Sequence, residues 1–377
     1  MKPILFTDAV FDAAPDSNGI GVLSDAVSCV VTEELNGDYS LKMTYPLTGA
    51  WYKDIGLRSL IVAKPNKDDR PQPFRVYRIT RTIDGKATIY ARHISSDFSG
   101  IPVTPFAASD VPDRVLRTIS DFANLIIPHK FILSQDVGET TGTMEIDTPR
   151  SAMSCIIGSQ NSFVDVFGGE LKYDRYSIHI TKKRGEDTGV RISFGKNMTA
   201  LNSDADTTSM YTGIYPYAVN NNGTEDAEVV ILRDDGFVVR SEDAEGLGFE
   251  RIKVVDLTEK FVSADGNSRI VTKELLLAEA QKYLEENAIV SPKHNIKVSF
   301  VPLADTIEYA GMEMLEGVSL GDTVTVVHHD LGIETKARCI KTEFDSLLEK
   351  YKKVEIGDPV DSIIDTIASL VHKTQRL

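Results

Sequence analysis

Gly317-Val318-Ser319-Leu320-Gly321 has the spacing of the Gly-x-Ser-x-Gly nucleophile elbow, where a strained strand-to-helix turn exposes a serine for acyl transfer. Asp322-Thr323-Val324-Thr325-Val326-Val327 follows it and reads as a strand, so the helix that this chemistry needs is missing. Gly189 and Gly195-Lys196-Asn197 approach a phosphate loop. Their glycines are six apart rather than five, and Asn197 stands where a magnesium-binding Ser or Thr belongs, so a hairpin with a turn glycine is the better reading. His328-His329 falls on a strand, where neighbours point to opposite faces and cannot readily share a metal. Cys155 comes late in a short helix beside Met153 and Ile156, far from the electropositive helix start that activates a thiol. Lys182-Lys183-Arg184 is a short basic run before Gly185, read as a solvated hairpin tip, with an anionic partner surface as the lesser reading. Trp51, the one tryptophan, sits in a loop-like stretch and reads as a packing anchor rather than a sugar platform. No catalytic, cofactor-binding or metal-ligating residue is assigned from these strings, and the chain is expected not to be an enzyme.

The composition narrows the partners. The chain has 377 residues, 41 Lys plus Arg against 56 Asp plus Glu, and a formal charge of −15. Such a chain gains little from counterion release, so tight sequence-independent DNA binding is not expected. The three cysteines, Cys29, Cys155 and Cys339, have neither metal nor redox spacing and read as buried thiols in a reducing compartment. Met1-Lys2-Pro3-Ile4-Leu5-Phe6 runs straight into Thr7-Asp8, unlike a secretory signal, and no apolar run approaches the ~18 residues of a membrane span. Synthesis and folding in a cytosol are expected.

The elements that would position side chains alternate between β and α+β text. Val27–Val31, Tyr39–Tyr45 and Leu60–Ala63 read as strands. Asp84-Gly85 predicts a two-residue type I′ hairpin, with Ile83 opposite Lys86, Ile79 opposite Tyr90 and Tyr77 opposite Arg92. Val115, Leu116, Ile119, Phe122 and Ala123 recur at helical spacing, with Asp110 or Ser109 as cap. A second helix is expected between Thr148 as N-cap and Gly158, and two strands around an Asp174-Arg175 turn. Residues 105–185 thus read as a small α+β module inserted after β material. Further on, Val229–Leu232 and Phe237–Val239 predict a hairpin around Asp234-Asp235-Gly236, Thr272–Asn287 a helix, and Val324–His328, Glu334–Ile340 and Tyr351–Glu355 strands with a turn at Asp330-Leu331-Gly332. After Pro359 the residues Val360, Ile364, Ile367 and Val371 follow a four-three-four spacing, either a short heptad seam and candidate oligomer interface or the one apolar stripe of a terminal helix docked on the body.

Several blocks taken in order resemble the phage minor structural protein family, also called the prophage endopeptidase tail or the tail-associated lysin N-terminal region. They are Tyr39–Leu47, Phe74–Phe98 with Tyr90-Ala91-Arg92-His93-Ile94, Phe167–Asn197 with Gly168-Gly169-Glu170-Leu171 and Lys183-Arg184-Gly185, Tyr215-Pro216-Tyr217, and Leu320–Gly357. The resemblance implies a mostly β, α+β chain with two tail-tube-like β-barrel domains. The first would draw on residues 1–104 and on strands near 187–240, with 105–186 as the inserted module. Residues 241–290 would be a connector with a helix, 291–358 the second barrel, and 359–377 a C-terminal helix that could start a trimeric stalk.

It also implies a role: a baseplate hub at the virion tail tip, made in the bacterial host cytoplasm. As a homotrimer it would close the tail tube and contact the distal tail protein ring and the tape-measure protein. DNA would pass without specific binding, and no cofactor is implied. Longer members carry a peptidase or muralytic domain after this region, so no catalytic residue is carried over. The rival readings are a tail-associated endopeptidase acting on the cell wall, and a carbohydrate-binding adhesion module resting on Trp51 and exposed tyrosines.

Overall fold

Alternating apolar and polar residues set the first strands, as β-structure requires. In the computed structural model Ser28–Glu34 and Tyr39–Pro46 bury every second side chain. The described residues are 1–193, 198–206, 210–220, 228–233, 236–245, 248–261, 270–286, 290, 293–300, 318–328 and 333–357. The C-terminal seam, Gly195-Lys196-Asn197, the Asp234-Asp235 pair, His329 and the turn at 330–332 lie outside them. The chain divides into two compact units, Met1–Asn202 with Ile296–Leu377, and Ser203–Asn295.

In the first unit the strands join one open sheet. Its order is Asp187–Ser193, Thr323–His328, Ile333–Asp345, Ser28–Glu34, Tyr39–Pro46, Lys86–His93, Gln72–Arg81, Leu60–Ala63, Ile4–Phe6, Gly21–Val22. Ile333–Asp345 is the hinge of this arrangement. One edge carries Thr323–His328 and then Ser28–Glu34, and the other carries Lys350–Gly357. At 13 residues it is long enough to serve three partners, with a register shift between Cys339 and Lys341. Among the described residues, strands from both stretches expected to form barrels share this one sheet, in two lobes. Each lobe has its own apolar core, one around Leu41, Met43, Phe74 and Ile89, the other around Ile192, Val326, Phe344 and Ile356.

The hairpin at Asp84-Gly85 forms with a corrected register. Ile79 faces Ile89 and Arg78 faces Tyr90, one residue away from the expected Ile79–Tyr90 pairing, and Arg92 faces Arg75 rather than Tyr77. A type I′ turn needs positive φ at both central residues; Gly85 takes it at 76° and Asp84 does not. The loop therefore closes one step wider, Thr82 N–H donating to Lys86 O at 2.9 Å, with Ile83 at the exposed tip. A second shift lies between Val76 and Arg78, where Tyr77 is the extra residue of a bulge. Tyr77 and Arg78 are consecutive, yet both are exposed.

The inserted module has its own core. Helix Pro112–Ile126 lays Val115, Leu116, Ile119 and Ala123 over Leu171, Ile178 and Ile180 of a small sheet. That sheet orders Ile132–Gln135, Ser177–Thr181, Glu170–Asp174. Three local expectations shift. Val111 is the N-cap of the first helix, with Pro112 at its start; Asp110 accepts from the Val111 N–H instead of capping. Ser151, not Thr148, caps the second helix, Ala152–Ile156, because Arg150–Ser151 pairs with Pro102–Val103 as a short strand. The tight loop is Arg175-Tyr176, Asp174 pairing with Ser177 and Arg175 taking φ 55°.

In the second unit Gly213–Asn220 is the central strand. Glu228–Ile231 and Val239–Arg240 both pair with it antiparallel, and Ile252–Asp256 pairs with it in parallel. The expected hairpin of the first two is thus replaced by pairing of each with Gly213–Asn220. Helix Lys273–Glu286 packs Leu276 and Ala280 against Ile214 and Ala218. The strands near 187–240 therefore part company: Asp187–Ser193 joins the long sheet, and Gly213–Asn220 pairs within the second unit.

Candidate functional site

Cys29, Val31 and Glu33 share the inward face of one strand. An inward carboxylate in apolar company must find a cation, since burying it alone costs far more than a strand can offset. The cation is Arg184, read above as part of a solvated tip. Its Nη1 donates to Glu33 Oε1 at 2.8 Å and to Leu171 O at 3.0 Å, and the two side chains are 9% and 6% exposed. Burial works against the Arg184 charge, and Glu33 outweighs it, so the guanidinium stays above its usual range. Lys182 and Lys183 do remain exposed.

A second pair interlocks with the first. Arg338 grips Glu170 with Nη1 to Oε1 at 2.6 Å and Nη2 to Oε2 at 2.9 Å. Arg338 also donates to Arg184 O at 2.8 Å and to Gly321 O at 3.0 Å, while the Arg184 N–H donates to Glu170 Oε2 at 2.6 Å. Burial alone would raise the Glu170 carboxyl, but these hydrogen bonds hold it below its ordinary value. Asp322 accepts from Glu186 N–H at 2.9 Å and Ser319 N–H at 2.7 Å. The two backbones cross at glycines: Gly185 has φ 72° and Gly321 φ 94°, and a Cβ on Gly185 would stand 2.2 Å from the Gly321 carbonyl carbon. Glu170-Leu171, Arg184-Gly185, Gly321-Asp322 and Arg338 all come from blocks that carry the family resemblance. Read from sequence, this strand ends at Val31 and Glu33 is missed, although the parity of Cys29 and Val31 turns it inward; nothing local marks its partner, 151 residues away.

His93 makes a second clamp between sheet and module. It lies on the inward face with Ala87, Ile89 and Ala91. Ser95 N–H donates to Nδ1 at 3.2 Å, so the proton sits on Nε2, which lies 3.2 Å from Gln72 Oε1. Gln72 passes the contact on, accepting from Arg175 N–H at 2.7 Å and donating to Asp174 at 3.0 Å. The imidazole stacks on Tyr39 at 4.5 Å between centroids, and its burial pushes its pKa down to about 3.

The strings singled out for chemistry are placed apart. Ser319 lines a cleft of about 470 Å³ that Asp68, Asp136 and His179 also line. Its Oγ donates to Asp68 Oδ2 at 3.2 Å. His179 is engaged elsewhere, Nδ1 with Ser134 Oγ at 2.9 Å and Nε2 with Asp136 at 3.5 Å. Strand Thr323–His328 follows Ser319, as expected. Burial pushes the Cys155 thiol up to about 11, and Cys29 and Cys339 to about 12. These thiols stay protonated at neutral pH, the opposite of an activated nucleophile. His328 ends its strand, and Trp51 packs against Gly21 and the sheet core, as an anchor does. Val360, Ile364, Ile367 and Val371 lie outside the described residues.

Residues 186–367 match the family model of the prophage endopeptidase tail, which bears out the resemblance over that span. No curated protein matches the chain. Its fold is similar to that of a prophage tail protein from Listeria monocytogenes, with 17% identity, 99% of each chain covered and a TM-score of 0.61. It is also similar to the 43 kDa tail protein of prophage MuSo2 from Shewanella oneidensis, with 12% identity, coverage of 95% of this chain and 99% of that one, and a TM-score of 0.57. A tail protein from Neisseria meningitidis follows at 10% identity, coverage of 96% and 97%, and a TM-score of 0.55.

Proposed function

We propose that this chain is a structural hub at the tip of a phage or prophage tail. Three copies form a ring that closes the tail tube, seats the distal tail protein ring above and carries lytic or receptor-binding parts below. The observation that carries the reading is the end-to-end likeness to a prophage tail protein, over 99% of both chains. The clamps fit a load-bearing role, since buried charge pairs tie the module to the sheet where an enzyme would hold a reactive group. The long sheet ends in the strands Asp187–Ser193 and Gly21–Val22, edges that neighbours in a ring would cover. In this reading the second lobe completes a barrel, and Val360, Ile364, Ile367 and Val371 face the threefold axis. The tape-measure protein contacts the ring from within the tube, and DNA passes an acidic lumen that repels phosphate, in keeping with the net charge of −15.

The test is location and stoichiometry. Gold-labelled antibody against the chain should mark the tail tip of induced particles, and sedimentation with the distal tail protein should give three copies per ring. Marking along the tail shaft, or a stable dimer both in the full chain and in a version ending at Asp358, would reject the hub.

A second reading, a tail endopeptidase, draws on the family description and on Ser319 in its cleft. The purified chain is expected not to cleave peptidoglycan or its peptide cross-bridges. Turnover abolished by Ser319→Ala or Cys155→Ala would establish the enzyme instead.

A further inference from the structure

The outward face of strands Tyr39–Pro46, Lys86–His93 and Gln72–Arg81 carries cations and tyrosines in alternation. Lys42, Tyr90 and Arg78 form one cross-strand row. The Arg78 guanidinium lies 3.8 Å from the Tyr90 centroid, with Lys42 Nζ 5.9 Å from the same ring. The Arg92 guanidinium stands 5.2 Å from the Tyr77 centroid, and the two tyrosine rings are 6.4 Å apart. The bulge at Tyr77 is what puts Tyr77 and Arg78 on one face, and bulges re-aim side chains where a regular strand would not. Lys42, Arg78 and Arg92 are exposed, and among the described residues none of the three has an ion pair. In a chain of 56 acidic and 41 basic residues, three neighbouring cations without an ion pair among the described residues are conspicuous: Asp8 and Asp97 are taken by Arg75 opposite Arg92, and Asp38 lines a cleft with Arg92 without pairing to it. Like charges side by side on a sheet repel, a cost that an incoming anion relieves.

We infer that this face is a docking surface for an acidic protein, one that presents carboxylates to Arg78 and Arg92. Stacking on tyrosine fixes the plane of each guanidinium while leaving its N–H edge free, the geometry for bidentate carboxylate binding. Tyr and Arg are also the residues that dominate binding energy at protein interfaces. A nucleic acid fits less well. Three cations neutralise few phosphates, against the several contacts that give DNA binding its strength, and the field of a −15 chain opposes a polyanion at longer range. Carboxylates on a folded partner avoid that penalty, since the surface around them need not be acidic. The inference stands whether or not the chain is a tail hub.

The experiment uses the full chain and, as probe, a labelled peptide with a few glutamates spaced among neutral residues, read by fluorescence anisotropy at physiological ionic strength. Wild type should bind. The double variant R78Q/R92Q should lose at least about tenfold in affinity, the size of one charge-assisted contact. Lys42→Gln should lose less, and Lys182→Gln, on a distant exposed lysine, should bind as wild type. Unfolding temperatures should be unchanged in all three. The single-site Lys42→Gln keeps the test open if the double variant does not fold. Failure of wild type to bind, equal binding by R78Q/R92Q, or tighter binding to duplex DNA of equal charge would each overturn the inference.

Discussion

Arg184 is 9% exposed, holds Glu33 at 2.8 Å and ties sheet to module; Arg78 lies open to solvent, stacked on Tyr90 at 3.8 Å. The two arginines carry the same charge into opposite surroundings. At Arg184 desolvation makes the partner obligatory: Nη1 also donates to Leu171 O, the backbone N–H donates to Glu170, and the backbone carbonyl accepts from Arg338. At Arg78 water keeps the charge inexpensive, and an aromatic face suffices to hold the guanidinium in place. Removing a buried charge therefore injures the fold, whereas removing an exposed one injures only what binds there.

The largest test of that contrast is Arg184→Met. It leaves Glu33 buried and unpaired, and should cost about 3–5 kcal/mol in denaturant unfolding. The double variant E33M/R184M should recover most of that loss, because both desolvation costs vanish together. A double variant as unstable as the single would mean that the pair holds the backbone crossing as well as its own charges.

Acid should act on the second clamp. His93 is buried neutral, its pKa depressed from 6.5 to about 3, so the unfolded chain binds the proton more readily. Its contribution is fully present above pH 6.5 and is lost as pH falls toward 3, at up to about 1.4 kcal/mol per pH unit. Glu170 adds to the lower part of this window, since its depressed pKa gives stability present above 4.5 and lost as pH falls through the lowered value. His93→Gln should flatten the upper part of the stability-versus-pH curve. An unchanged curve would remove His93 from the account.

Smaller again is Gly321→Ala, whose Cβ would stand 2.7 Å from the Arg184 carbonyl at φ 94°. A loss of about 1–3 kcal/mol by thermal unfolding is expected. Smallest is Arg78→Gln, which should move stability by no more than about 0.5 kcal/mol. A large loss there would erase the distinction between the two arginines.

Much of this was legible in the residues. The alternation in Tyr39–Pro46, the helical spacing from Val115 to Ala123 and the turn glycine Gly85 all appear where they were read, because each depends on neighbours within a turn or a strand. The strand after Ser319 was equally legible, and with it the absence of an elbow helix. The errors were local in size and long-range in cause. The hairpin slipped by one because Asp84 kept negative φ. The second helix started late because Arg150–Ser151 found a partner strand at Pro102–Val103. Glu33 could be read as facing inward, since it continues the parity of Cys29 and Val31.

By itself, then, the chain determined its strands, its helices and which of their faces seek a core, since hydrophobic period and turn chemistry act over a few residues. Tertiary structure alone decided which buried charge meets which. Arg184 joins Glu33 across 151 positions and Arg338 joins Glu170 across 168. No local pattern encodes such a pairing: an arginine in a basic run reads as solvated until a fold removes the water around it, and only then does the carboxylate become indispensable.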